Sequence, residues 1–148
     1  MTSSASDVAA YLLHIASRDS KEGQGRSELL THLKLQKLLY YVQGFHLVLE
    51  GAPAFREDIL AWDHGPVIRE VYDTYKGRGS RGIPAPDVLP DLPEGTIARI
   101  EQVSDAYGQF SAWRLREMTH ETPPWLETPR GGVISHEKLR GYFATQVE

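Results

Sequence analysis

The sequence predicts a mainly α fold: a compact single-domain bundle of about six helices around a central helix at about residues 32–50. Three observations lead there. The first is the stretch from Leu33 to Leu49, the longest strongly periodic segment of the chain. At 3.6 residues per turn, Leu35, Leu38, Leu39, Val42, Phe45, His46 and Leu49 fall on one side, and Leu33, Tyr40, Gly44 and Leu47 form a narrower ridge roughly opposite. A surface helix usually carries one apolar stripe, so two ridges predict a rod touched from two sides. The second is that apolar residues recur at helical spacing in several other segments, each bounded by a capping residue or a breaker. The third is the scarcity of strand patterns, which leaves at most a small two-stranded pairing of about 57–62 with about 132–135.

Met1 to Ser4 is expected to fray. A helix follows from Ser6 or Asp7, with Val8, Leu12 and Ile15 on its main face and Tyr11 beside them, and ends near Arg18. Ser20 to Arg26 is polar, holds two glycines and reads as a loop. In the central helix Thr31 suits the N-cap and Gly51 the stop. Lys34, Lys37 and Tyr41 lie between the two ridges, and Gln36 and Gln43 fill the other gap. Gly44 costs the helix ~1 kcal/mol relative to alanine, and close approach by a neighbouring helix is a physical reason to keep it.

Ala52 to Phe55 reads as a turn, and 57–62 as a short strand or extended link. Asp63-His64-Gly65-Pro66 reads as a helix entrance, because proline at the first helical position lacks only an N–H that has no helical partner. Val67 or Ile68, Val71, Tyr72 and Tyr75 then recur at helical spacing until Gly77. Residues 78–93 are dense in glycine and proline and are expected to form an exposed, mobile connection. Thr96 to Tyr107 is a helix with Ile97, Ile100, Val103 and Tyr107 on one face and Gly108 as its stop. Ser111 caps the next, in which Trp113, Leu115 and Met118 supply apolar contacts before Thr122-Pro123-Pro124-Trp125 breaks it. Pro129 to Gly132 is a turn, Val133-Ile134 a possible short strand, and Ser135 caps a last helix carrying Leu139, Tyr142 and Phe143.

The chain has 148 residues, enough for one domain with one real core. Its formal net charge of -4 disfavours general attraction to nucleic acid or to an anionic membrane. No cysteine is present, which excludes disulfides, thiolate metal sites and a cysteine nucleophile. Met1 to Asp7 lacks a basic segment followed by an apolar run, so no signal peptide is expected, and no apolar run approaches the ~20 residues of a membrane span. A cytoplasmic protein is the expectation.

Catalytic patterns fail on inspection. His120-Glu121 starts like the zinc-protease pattern, but the position that needs a second histidine holds Pro124. The histidines at 14, 32, 46, 64, 120 and 136 include no pair at ligand spacing on one predicted helix. His46 reads as a satisfied core histidine. No nucleophile elbow, Walker loop or dinucleotide fingerprint occurs. The reading is therefore of a protein without catalytic residues, cofactor or metal. A small hydrolase using His64, His120 and Glu121, or a nucleic-acid-binding regulator, are the competing readings. Trp62-Asp63-His64-Gly65-Pro66 is the most peculiar local feature. It reads about equally as a recognition corner and as a structural one in which Asp63 caps and Trp62 plugs the core. Pro123, Pro124 and Trp125 read more readily as an apolar plug than as a docking feature.

Leu35-Gln36-Lys37-Leu38-Leu39-Tyr40-Tyr41 with Gln43-Gly44, Ala61-Trp62 through Gly65-Pro66-Val67 to Val71-Tyr72, and Thr119-His120 with Pro124-Trp125 together resemble one family. Ile134-Ser135 to Tyr142-Phe143 fits as well. It is that of the Panacea-domain antitoxins, also described as SocA-like or phage-associated GepA-like proteins, and the likeness spans nearly the whole chain. The resemblance implies an antitoxin of a bacterial or phage toxin–antitoxin pair that neutralises a cognate protein toxin by direct contact. One described route in the family is delivery of the toxin to a ClpXP-type protease. Some relatives carry an added DNA-binding domain, for which this chain has no room. On that reading Trp62, His64, Tyr72, His120 and Trp125 are the candidate partner-binding residues, expected to gather at one corner and to stay partly exposed.

Overall fold

Eighteen residues of the chain, His32–Leu49, form the helix on which the others lean. The computed structural model describes residues 2–22 and 29–147. In order these are α1 (Ala5–Glu22), α2 (His32–Leu49), β1 (Leu60–Trp62), β2 (Gly65–Val67), α3 (Arg69–Tyr75), α4 (Glu94–Tyr107), α5 (Ala112–His120), α6 (Pro123–Leu126) and α7 (His136–Phe143). Short 3-10 turns at Lys76–Arg78 and Ala144–Gln146 extend α3 and α7. The fold is mainly helical, with one small antiparallel sheet.

The Thr31 hydroxyl accepts from Lys34 N at 3.2 Å and starts α2, and Gly51, at φ 75°, ends it. Every residue from Leu35 to Leu47 is buried. The two-sided contact is there: α1 and α4, then α5 and α7, pack around α2, and α3 and β2 meet its first turns. Gly44 has the predicted reason, since the Phe143 ring of α7 occupies the space a Cβ would need. Tyr41 stacks on Tyr107 at 4.1 Å, and Tyr40 bonds Thr122 Oγ1 at 2.7 Å. Burial pushes both phenols well above the usual range.

The polar side chains on α2 pin irregular backbone. Gln43 accepts from Ala54 N at 2.8 Å and donates to Phe55 O at 2.9 Å. Gln36 does the same for Ile68, accepting from its N at 2.8 Å and donating to its O at 3.1 Å. His46 lies between Ala52 O (2.6 Å) and the Thr96 hydroxyl (2.9 Å), a satisfied core histidine as read. These bonds explain how short, poorly patterned connections hold their course.

Four local expectations need correction. Thr2 to Ser4 is tied down: Ser3 bridges Phe55, and Arg56 N donates to Ser3 O at 3.2 Å. Helix α1 does not stop at Arg18, because the Arg18 guanidinium is held by both Glu101 oxygens at 3.1 Å and the helix runs on to Glu22. The predicted loop from Ser20 thus begins as helix, and 23–28 lie outside the described residues. Pro66 does not open a helix. It sits in β2 opposite Ala61, whose own backbone turns away to bond Gly131 and Gly132, so no donor is required of the proline. The ladder partner of β1 is therefore β2; the expected neighbour joins only by the Leu60–Val133 bridge and flanking hydrogen bonds. Finally, Trp113 does not face the core but is 65% exposed.

In the glycine- and proline-rich connection, Val88 is exposed while Ile83 and Leu92 turn inward, and Ile83 N donates to Leu30 O at 2.8 Å.

Candidate functional site

The β1–β2 hairpin, the first turn of α3 and the α5–α6 bend meet at one corner. Trp62, at the end of β1, has Tyr72 edge-on at 5.0 Å and the Arg69 guanidinium 5.7 Å from its ring centre. Its carbonyl accepts from Trp125 Nε1 at 2.9 Å. Trp125 is presented by α6, a single turn that Pro123 opens after Thr122. The Arg130 guanidinium lies 3.7 Å from the Trp125 ring centre and donates to Trp125 O at 2.6 Å. The His120 ring centre is 4.0 Å from that of Trp125, tilted at 47°. His120 Nδ1 is 2.6 Å from Arg116 O and Nε2 is 2.7 Å from Asp63 O. Trp62, Tyr72, His120 and Trp125 thus form one connected cluster, each partly exposed. His64 stands apart from their contacts, exposed at the hairpin tip, where it lines a shallow depression of about 380 Å³ with Trp62, Asp63, Arg130 and Gly131. Asp63 is exposed and caps nothing; Ile68 is the residue before α3 and makes no side-chain cap.

The sequence reading passed over the cations beneath and around this corner. Lys37, on α2, is 3% exposed, and its stem runs under Gly65 of the hairpin. Its ammonium has one acceptor, Leu33 O at 3.3 Å, a carbonyl the helix already uses. Burial, aided by the positive Arg116, lowers the Lys37 pKa to about 8. His32, one turn earlier, meets Tyr72 edge-on at 6.2 Å, and its buried Nδ1 has no partner. Burial and then Lys37 lower its pKa. The Arg116 guanidinium lies 5.0 Å from the exposed Trp113 ring. The available signal was a lysine inside the apolar run Leu35 to Tyr41, where charge is expensive unless it has a use.

The constellation a hydrolase would need is not assembled. Both His120 nitrogens are engaged by carbonyl oxygens, and no hydrogen bond links any two of His64, His120 and Glu121. Glu121 instead faces Tyr142 and helps raise its pKa after burial. No cluster of three or more metal-ligating side chains occurs among the described residues.

Residues 35–126 match the family described as antitoxin SocA-like, Panacea domain. The chain belongs to this Panacea family. The matched segment runs from the first buried turn of α2 to the end of α6, so it contains all five corner residues and Lys37. The chain is also similar to Antitoxin SocA of Caulobacter vibrioides (strain NA1000 / CB15N), at 31% identity over 109 residues. That alignment covers 65% of this chain and 58% of the relative, so the Panacea chain matches little more than half of that protein's length. No solved structure matches. No helix among the described residues is long and apolar enough to cross a membrane.

Proposed function

We propose that this protein is the antitoxin of a toxin–antitoxin pair, acting in the cytoplasm by binding a cognate protein toxin and performing no chemistry on it. One observation carries the reading: the family match encloses Trp62, Tyr72, Trp125, Arg69 and Arg116 of a corner where each of these side chains is exposed or partly exposed. These residue types dominate binding energy at protein interfaces. A standard interface of roughly 1,200–2,000 Å² in total centred on Trp62 and Trp125 would take in the hairpin and α5. Delivery of the captured toxin to a ClpXP-type protease is compatible with the same binding and is separable from it by experiment.

The test expresses the neighbouring reading frame alone and together with this chain. Growth arrest relieved by co-expression, with co-purification of the two products, supports the reading. A harmless neighbour that does not co-purify contradicts it. Relief that disappears in a host lacking the protease assigns delivery, and relief that persists assigns direct blocking.

A further inference from the structure

The electrostatics of the corner do not close. Four cations elsewhere pair with carboxylates: Arg18 with Glu101, Lys76 with Asp73, Arg99 with Glu50 and Arg114 with Glu117. At the corner, Lys37, Arg69, Arg116 and Arg130 have no ion pair among the described residues, in a protein whose net charge is -4. Each guanidinium instead lies over the ring of one of the three tryptophans. Lys37 is the sharpest case, a buried ammonium with a share of one carbonyl and an unpartnered buried imidazole nitrogen nearby. Burying a charge is costly unless it is paired. The ammonium points back toward the first turn of α2, where it meets the carbonyl of Leu33, a residue 45% exposed. No acid occupies that turn.

We propose that the missing counter-charge is supplied by the partner: an aspartate or glutamate side chain of the bound protein docks against Lys37, with Arg116 beside it and His32 Nδ1–H as a further donor. This rests on the antitoxin reading and names the chemistry its partner must present. A protein carboxylate fits better than a phosphate backbone. A single buried cation calls for one small counter-charge rather than a charged track. The exposed acids Glu70 and Glu117 adjoin Arg69 and Arg116 in the sequence, and with the exposed Asp63 and Glu121 they repel a polyanion.

The experiment measures binding of the co-expressed neighbour's product to the full chain by titration calorimetry. Lys37→Met is expected to weaken binding at least about tenfold, and Arg116→Gln to weaken it less. One acidic residue of the partner, changed to its amide, should give the same loss and no further loss when combined with Lys37→Met. That coupling is a readout a merely structural lysine does not move, and a folded Lys37→Met chain with unimpaired thermal stability excludes misfolding as the cause. Tight binding by the wild type that Lys37→Met leaves unchanged overturns the inference and spares the antitoxin reading. A neighbour that neither arrests growth nor binds removes both. Salt-dependent binding of a duplex or single-stranded oligonucleotide that Lys37→Met abolishes assigns the site to nucleic acid and overturns the inference as well.

Discussion

The two halves of α2 treat buried polar groups in opposite ways. Toward its C-terminus, Gln43 and His46 have hydrogen-bond partners for every polar side-chain atom, and Gly44 and Tyr41 are sealed by Phe143 and Tyr107. Toward its N-terminus, Gln36 is likewise satisfied, but Lys37 lacks a counter-charge and His32 a partner for Nδ1. One helix therefore carries a finished core at one end and an open electrostatic account at the other. On the reading proposed above, the difference separates scaffold from site: polar groups that hold the fold are satisfied within the chain, and polar groups that would meet a partner are left for it.

The comparison breaks most visibly at the satisfied end. Gln43→Leu strands Ala54 N and Phe55 O in the core, and should lower stability by about 3 kcal/mol or more in urea unfolding. Gly44→Ala forces the Phe143 ring aside, and despite better helix propensity should cost about 2 kcal/mol in the same assay.

The opposite sign is expected at the open end. Lys37→Met should raise the stability of the free chain at neutral pH by about 1.5 kcal/mol, because it removes an unpaired buried charge. The pH dependence sharpens this. With the Lys37 pKa at about 8 when folded and its usual 10.5 when unfolded, the unfolded chain holds the extra proton between those values. This group's contribution to wild-type stability should therefore rise from pH 8 to 10.5, with the full penalty present below pH 8. In Lys37→Met that rise should be missing, as thermal melts across the window would show. The smallest effect is at Tyr40→Phe. Thr122 keeps its bond to Thr119 O at 2.7 Å, so only the phenol's own bond is lost, about 1 kcal/mol.

The sequence made the scaffold half of this picture legible. Two ridges on α2, the caps Thr31, Ser111 and Ser135, and the demand that Gly44 be approached closely are all local consequences of periodicity and side-chain size, and all stand in the structure. What misled was tertiary. Pro66 has the signature of a helix start, but Gln36 captures the Ile68 backbone and delays α3 to Arg69. Trp113 falls at an apolar position of α5, yet the face that packs is that of Leu115 and Thr119. At the corner, the family resemblance and residue type suggested Trp62, His64, Tyr72, His120 and Trp125, and His64 stands apart from the contacts of the other four. Lys37 was placed between the two ridges but not among the site residues, because a lysine's want of a carboxylate is visible only once its neighbours are in place.

The most direct measurement follows the Lys37 ammonium itself, by NMR titration of the side-chain amine in the free chain and in the chain bound to its partner. The account predicts a pKa near 8 that climbs to its usual 10.5 or beyond on binding, as a carboxylate restores the charged form. A pKa that stays where it is, or falls further as the interface closes over it, would contradict it.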